Sequence, residues 1–303
     1  MFTIFLAIAP VFALILMGYG LRRGGIPSTK FWNLNDRLVY WVLMPALFFA
    51  KISAADLSGG LGDYALLLYA GFFAAILCGW LFGRAYAAPQ GSSLMQGSAR
   101  FNTFIGLAIA EAVFGTAGLQ IAVLGSALLV PVVNVTVVTL MTRQLGGGGK
   151  SILKGLVKNP LILGILAGVL FNFAGLHEVP VLHESARILG DAALPIMLLC
   201  VGANLRLRGL SGSVSVIALS IVGKHLVNPL AVLLAALVLN PAPLTLQIAL
   251  IFAALPTGVA SYTLAREMRG DAPLMAAIIT TQTLLSFFTL PLTLYLGSLI
   301  SAP

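Results

Sequence analysis

Long apolar segments alternate with short polar segments along the whole chain. A bilayer core about 30 Å thick is crossed by roughly 20 residues of helix, and ten segments of the chain qualify. The predicted spans are approximately 2–21, 34–53, 64–83, 95–114, 118–141, 160–176, 184–205, 213–239, 244–265 and 273–299. This pattern predicts an all-α membrane protein with ten transmembrane helices.

Composition supports a membrane protein and excludes most soluble classes. Of the 303 residues, 59% are hydrophobic and 9% are charged, whereas about a quarter of a soluble domain is charged. We interpret the net charge of +8 as a topology signal and not as a nucleic-acid-binding surface. The two cysteines, Cys78 and Cys200, lie in apolar segments and predict neither a disulfide framework nor a metal site.

The basic residues of the loops predict the orientation of the spans. If the N-terminus is extracytoplasmic, the outer loops contain Lys51 and few other basic residues. The inner loops then contain Arg22, Arg23, Lys30, Arg84, Arg143, Lys150, Lys154, Lys158, Arg206, Arg208, Arg266 and Arg269. Because basic residues are enriched in cytoplasmic loops, we expect a multi-pass protein of the cell (inner) membrane with both termini extracytoplasmic. The first span has no basic segment before it and is not expected to be a cleaved signal peptide.

The two halves of the chain match each other at an offset of about 150 residues. The matched pairs are Pro10 with Pro160, Gly18 with Gly168, Arg37 with Arg187, Pro45 with Pro195, Gly106 with Gly258 and Pro131 with Pro291. Coincidence among abundant residues is the alternative, but each pair falls in equivalent spans. Five spans per repeat would insert the second repeat with inverted topology, as in secondary transporters, whose sites lie near the midplane. We expect repeats at 1–141 and 160–303.

Residues 142–159 are predicted to form a cytoplasmic Gly-rich linker with an interfacial helix. Lys150, Lys154 and Lys158 share one helical face there, which favours a helix lying on the lipid surface. The segment Gln144–Ser151 resembles a phosphate-binding loop. It has Gln144 where the motif requires glycine, and a membrane span precedes it instead of a strand. We therefore expect no nucleotide or other cofactor.

The fourth and ninth predicted spans contain the features of discontinuous helices. The fourth is polar at its start, and the ninth contains Pro256-Thr257-Gly258 near its middle, where proline removes a backbone donor. We predict that these helices are broken and cross near the midplane, where the N-termini of half-helices favour a carboxylate. The alternative is that glycine and proline serve only close helix packing.

Ionisable residues inside the predicted spans have functional and structural interpretations. Arg100 either binds a substrate charge or reaches the inner interface, and Glu111 is either functional or simply hydrated at the outer end. Asp191 is either a coupling site or the i,i+4 partner of Arg187. Lys224 is expected to pair with Asp191 or Glu111, or to give up its proton. Two further polar residues could serve as helix contacts or as ligands, namely Asn134 and Gln282.

No catalytic or metal-binding arrangement competes with these interpretations. The three histidines are not spaced as metal ligands, and no nucleophile elbow or pair of intramembrane aspartates is present. We therefore expect neither an enzyme nor a metal site.

The chain resembles the auxin efflux carrier family, in the superfamily that includes bile-acid sodium symporters. The similar motifs are residues 43–47 (Leu-Met-Pro-Ala-Leu), 101–107 (Phe-Asn-Thr-Phe-Ile-Gly-Leu) and 256–265 (Pro-Thr-Gly-Val-Ala-Ser-Tyr-Thr-Leu-Ala). The resemblance implies ten spans in two inverted repeats with crossed, broken fourth and ninth helices. It also implies transport of small organic acids such as malonate by bacterial members, or of auxin by plant members. The chain departs from the family at Leu107-Ala108, where a proline is common, and at Ala260, where an asparagine is common.

These observations predict a secondary transporter that moves a small organic carboxylate by alternating access. The predicted substrate-binding residues are Asn102, Thr103, Ile105, Gly106, Pro256, Thr257, Gly258, Ser261 and Tyr262, and the candidates for charge or coupling are Arg100, Glu111, Asn134, Asp191, Lys224 and Gln282. The expected partners are the anion, a proton or sodium ion, and membrane lipids, with a homodimer as one option and nucleic acid excluded. One alternative is a sodium-coupled symporter with Glu111, Asn134 and Gln282 as ligands, and another is a membrane ligand sensor.

Overall fold

The computed structural model describes residues 2–55, 60–145, 159–177, 179–206 and 213–300, and within these ranges every regular element is helical. The first half contains α1 (Phe2–Arg23), α2 (Thr29–Leu38), α3 (Met44–Ser53), α4 (Leu61–Gly83), α5 (Ala88–Ala99) and α6 (Thr103–Leu145). The second half contains α7 (Pro160–Phe173), α8 (Leu182–Ala203), α9 (Val214–Val222), α10 (Asn228–Leu239), α11 (Pro243–Ala254), α12 (Ala260–Glu267) and α13 (Ala272–Ile300). The predicted all-α class is confirmed.

Six helical segments of the described chain are long and apolar enough to cross a membrane. They are Phe2–Arg23, Leu61–Gly83, Ala88–Leu145, Leu182–Ala203, Val214–Leu239 and Ala272–Ile300. Two shorter apolar helices, Pro160–Phe173 and Pro243–Ala254, accompany them. Large apolar side chains such as Trp41, Phe73 and Leu237 are exposed on the outside of the helices. Such exposure suits contact with lipid, so the protein is a multi-pass membrane protein.

Two helices widen into a π turn immediately before a proline. Residues 39–43 form a π segment between α2 and α3, and residues 223–227 form another between α9 and α10. Pro45 and Pro229 follow within the first two residues of the next helix. Proline lacks an N–H and collides with the carbonyl four residues earlier, and a π turn relieves this collision without ending the helix.

Helix α6 bends sharply at Gly115. A straight helix of its 43 residues would be about 65 Å long, roughly twice the thickness of a bilayer core. Gly115 has φ 64° and ψ −156°, a conformation that glycine adopts without steric cost. The bend lies between the predicted fourth and fifth spans, so α6 provides the second part of the fourth span and all of the fifth.

The two halves of the chain are interlocked and not merely adjacent. Helix α1 packs along α8, and α3 packs along α7 and α8. Gly18 and Gly202 allow the first contact, because a Cβ on either would collide with the backbone of the other helix. Gly164 does the same for the second contact, where a Cβ would lie 2.7 Å from the Pro45 carbonyl oxygen. Helices α1, α3, α7 and α8 thus form a tightly packed group.

The predicted linker lies largely outside the described residues. Helix α6 continues to Leu145, four residues beyond the predicted end of the first repeat, and the description resumes at Asn159. The predicted interfacial helix falls between these positions.

Candidate functional site

The first helix interruption separates α5 from α6 at residues 100–102. Arg100 is extended, with φ −68° and ψ 154°, so it cannot continue the preceding helix. The Asn102 side-chain oxygen accepts hydrogen bonds from the backbone N–H of Phe104 at 3.1 Å and of Ile105 at 3.3 Å. Asn102 therefore caps the N-terminus of α6, a position at which asparagine is strongly preferred. This cap restarts the helix without any proline.

The second interruption separates α11 from α12 at residues 255–259. The Thr257 backbone N–H donates to Gln282 Oε1 at 2.9 Å, and the Thr257 hydroxyl lies 2.8 Å from the same oxygen. Gln282 Nε2 donates in turn to the carbonyl oxygen of Gly97 at 2.9 Å. The interruption is thereby bonded to both α13 and α5.

The two interruptions contact each other directly. The Asn102 N–H donates to the Pro256 carbonyl oxygen at 2.8 Å. A Cβ added to Gly258 would lie 2.6 Å from the Phe101 carbonyl oxygen, so this contact requires glycine. We refer to residues 100–102 together with 255–259 as the junction. One broken segment from each half of the chain thus contributes to the junction.

Arg100 brings an incompletely bonded cation to the junction. Its Nη2 donates to Asn134 Oδ1 at 3.2 Å, whereas its Nη1 is buried without a hydrogen-bond partner in the described structure. Tyr40, in the first π segment, lies in the neighbourhood of the same guanidinium. The structure thus brings two predicted residues, Arg100 and Asn134, into contact.

Other buried polar atoms around the junction also have no hydrogen-bond partner among the described residues. They are Asn102 Nδ2, Ser261 Oγ and both amide atoms of Gln96. Because an unsatisfied buried donor costs about 1–3 kcal/mol, such a group calls for a ligand or a water molecule. Two backbone N–H groups of α6 are already capped by Asn102. Many of the free hydrogen-bond donors at the junction are therefore side-chain groups, whereas the sequence had predicted backbone N–H groups at helix N-termini.

Three further predicted residues lie near the junction but serve packing. Ile105 and Gly106 are buried, and a Cβ on Gly106 would lie 2.7 Å from Leu255 Cδ1. The Tyr262 ring stacks beneath the Arg206 guanidinium, 4.5 Å from the ring centroid. Of the remaining predicted residues, Thr103 is partly buried.

The two predicted carboxylates lie on exposed surface. Glu111 is exposed, and Asp191 forms an exposed ion pair with Arg187 at 3.5 Å, which is the structural alternative given for it above. Within the described ranges, ion pairs join only Arg187 to Asp191 and to Glu184. The expected pairing of Lys224 with Asp191 or Glu111 is therefore absent there.

Lys224 is fully buried in the second π segment, with a relative exposure of 0%. Its Nζ lies 3.4 Å from the carbonyl oxygen of Phe252, in the last turn of α11. The negative end of the α11 helix dipole thus faces the amine.

Metal binding has no support in the residues that the structure covers. No group of three His, Cys, Asp or Glu side chains that could hold a metal ion occurs among them. The unpartnered buried groups at the junction are the Arg100 guanidinium and neutral amide and hydroxyl groups, and they include no carboxylate.

Sequence reasoning missed the role of the Gly97 carbonyl oxygen. It accepts from Gln282, and the Thr257 hydroxyl also lies 2.9 Å away. Backbone acceptors leave no sequence signal, because every residue has one. Gln96 had a weak signal, as a polar residue at the start of an otherwise apolar span.

Comparison with known proteins places the chain among transporters. The family model described as "Membrane transport protein" matches residues 3–150 and 148–294. An uncharacterized transporter of Methanothermobacter thermautotrophicus is 28% identical over 291 residues, covering 93% of this chain and 94% of that protein. A Rhizobium meliloti protein named "Putative malonate transporter" is 28% identical over 312 residues, covering 95% of this chain and 94% of that protein.

The match spans nearly the whole chain and includes both interruptions. The chain therefore belongs to the membrane transport protein family, which is the auxin efflux carrier family that its sequence motifs indicated.

Proposed function

We propose that this protein is a secondary transporter that carries a small organic carboxylate across the membrane, with its binding site at the junction. The observation that carries the proposal is the set of buried donors without partners, Arg100 Nη1, Asn102 Nδ2 and Ser261 Oγ. No described carboxylate forms an ion pair with Arg100. An anion would supply the missing acceptors and the missing charge together.

The proposed topology has ten spans in two inverted repeats, 1–141 and 160–303. The support is the equivalent placement of the two interruptions, each about a dozen residues into a helix that begins with proline at its first or second position. The loop charges support extracytoplasmic termini. The remaining residues, 142–159, would then form a cytoplasmic linker.

The proposed mechanism is alternating access between two rigid parts. Helices α1, α3, α7 and α8 pack closely through glycine contacts, which suits a scaffold. The junction belongs to the other part, together with α4 to α6 and α9 to α13. Arg100 lies where the two parts meet, since Tyr40 precedes α3. A site at such a boundary is exposed to either side as one part moves against the other.

A malonate-like acid is the first substrate to test. The relative from Rhizobium meliloti has a name that includes malonate, and Arg100 offers a guanidinium, which binds carboxylates in a planar fork. The sodium-coupled alternative is less well supported, because Asn134 bonds to Arg100, Gln282 bonds to Gly97, and Glu111 is exposed.

The test is counterflow of labelled malonate into proteoliposomes, with and without sodium, and with indole acetate as unlabelled competitor. We expect uptake that is independent of sodium and is abolished by Gly258→Val, because the added side chain would displace the Phe101 carbonyl. Gly20→Val is the matched control, since a Cβ there meets no atom within 4 Å. Full activity of purified, folded Gly258→Val protein would disprove this site. Uptake that requires sodium would favour the symporter.

A further inference from the structure

Lys224 is the most deeply buried charge in the described chain outside the proposed substrate site. It is 0% exposed, and its only hydrogen-bond partner in the described structure is the Phe252 carbonyl oxygen at 3.4 Å. It also lies in a π segment, an irregularity that is frequent at functional sites. Neither the family match nor the names of the relatives give this residue a role.

Among the described residues, those around Lys224 include no counter-charge. The adjoining cavity is lined mainly by apolar side chains of α4, α6 and α11, among them Leu68, Phe72 and Leu129. No titratable group from these three helices lines it. His225, which follows Lys224 in the chain, bonds to Thr289 on α13. Arg100, which lies between the lining residues Ala99 and Phe101, bonds to Asn134. An ammonium group at this depth is unfavourable unless a negative charge arrives.

The same cavity reaches the junction. Ala99 and Phe101, the residues on either side of Arg100, line it together with Lys224. Arg100 itself does not line the cavity, but a carboxylate bound at the junction would face the amine across this largely apolar region, where the dielectric constant is low and charges interact strongly. Binding of the anion and protonation of Lys224 would then favour each other. Such coupling is reciprocal by thermodynamic necessity.

We propose that Lys224 Nζ takes up a proton when the carboxylate binds at the junction and releases it when the carboxylate leaves, so that one proton travels with each anion. This inference rests on the proposed function. Uptake forms one N–H bond with a proton from water on the side that the carrier faces, and release breaks that bond on the other side. The Phe252 carbonyl can accept a hydrogen bond from the amine as well as from the ammonium, so Lys224 keeps its position in both states.

The experiment compares exchange with accumulation in proteoliposomes. Counterflow of labelled malonate needs no net proton movement, whereas accumulation against a gradient does. With the membrane potential clamped at zero and pH 7 outside against pH 8 inside, one coupled proton accumulates the anion by up to about tenfold. We expect the wild type to perform both processes and to take up about one proton per site on malonate binding in detergent, as in any coupled binding of proton and ligand.

Two substitutions separate proton transfer from a merely structural role. Lys224→Met mimics the neutral amine, and Lys224→Arg keeps a permanent positive charge because guanidinium is not deprotonated in proteins. We expect both variants to keep counterflow but to lose accumulation driven by the pH gradient and to lose proton uptake on binding. If Lys224 served only to stabilise the end of α11, Lys224→Arg would retain all three properties, and that result would overturn the inference.

His225→Gln is the matched control, because it removes the adjacent titratable group and leaves Lys224 in place. We expect this variant to accumulate malonate like the wild type. If Lys224→Met still accumulated malonate in response to the pH gradient, the inference would be overturned and the proposed function would stand. The same conclusion would follow if the wild type exchanged malonate but did not respond to the pH gradient. A wild type that exchanges no carboxylate would overturn both.

Discussion

The two helix interruptions occupy equivalent places in the two halves but are held in different ways. The first contains no proline and is restarted by the Asn102 cap. The second contains Pro256 and is bonded through Thr257 to Gln282. In the first interruption, Arg100 and Asn102 each have a buried side-chain nitrogen without a hydrogen-bond partner. In the second, residues 255–259, the described structure has no such buried side-chain atom.

This difference suggests that the two interruptions have different roles. A fully bonded segment is rigid, because any movement would leave buried polar groups without partners. A segment with free donors has binding capacity left for a ligand. We therefore interpret the second interruption as the fixed support and the first as the side that binds the anion. The predictions below test that assignment in order of expected effect.

Arg100→Gln should produce the largest effect on binding. A hydrogen bond to a charged group contributes about 1.5–3 kcal/mol, which corresponds to roughly a 10- to 100-fold loss of affinity. We expect the KM for malonate to rise by that factor in counterflow, with little change in thermal stability. Arg84→Gln is the control, since Arg84 is an exposed cation over Trp80. Equal loss in both variants would indicate a general charge effect and contradict the assignment.

Thr257→Val should mainly reduce stability. Valine has nearly the same shape but lacks the hydroxyl that lies between Gln282 and Gly97, and an unsatisfied buried partner costs about 1–3 kcal/mol. We expect a lower melting temperature in detergent by several degrees and a KM close to that of the wild type. The control is Thr263→Val, at an exposed position of α12. A KM increase without loss of stability would reverse the proposed roles of the two interruptions.

Asn102 should contribute both to stability and to substrate binding, and two substitutions can separate these contributions. Asn102→Ala removes the cap of α6 and should cost about 1 kcal/mol of stability. Asn102→Asp keeps the capping acceptor but places a negative charge in the proposed anion site, so stability should hold while the KM rises. Thermal shift and counterflow on the same preparations measure the two effects. If Asn102→Asp transported malonate as well as the wild type, the anion could not bind beside this side chain.

Pro256→Ala should have the smallest effect. The first interruption exists without proline, and the Pro256 carbonyl that accepts from Asn102 is retained in alanine. We expect transport within about twofold of the wild type and a stability change below about 1 kcal/mol, because the contacts of Thr257 still hold the chain open. A large loss would show that proline itself, through its missing N–H, maintains the break.

The sequence alone determined the class of the protein and the position of its unusual segments. Apolar runs predicted a helical membrane protein because hydrophobicity is a local property of the chain. Motifs at residues 101–107 and 256–265 identified the family. A polar start and a Pro-Thr-Gly string marked the two segments that prove to be interrupted, since these residue types disfavour a continuous helix wherever they occur.

Only the tertiary structure decided which buried groups meet. Arg100 bonds to Asn134, 34 positions away, and Gln282 reaches Gly97 across 185 positions. The sequence offered two acids for Lys224, and the structure pairs it with neither, leaving a carbonyl oxygen as its partner. Such pairings depend on how distant helices pack, and packing follows from shape and glycine contacts spread over the whole chain. Composition therefore predicts the lipid environment, whereas the charge balance at the junction can be seen only in the folded molecule.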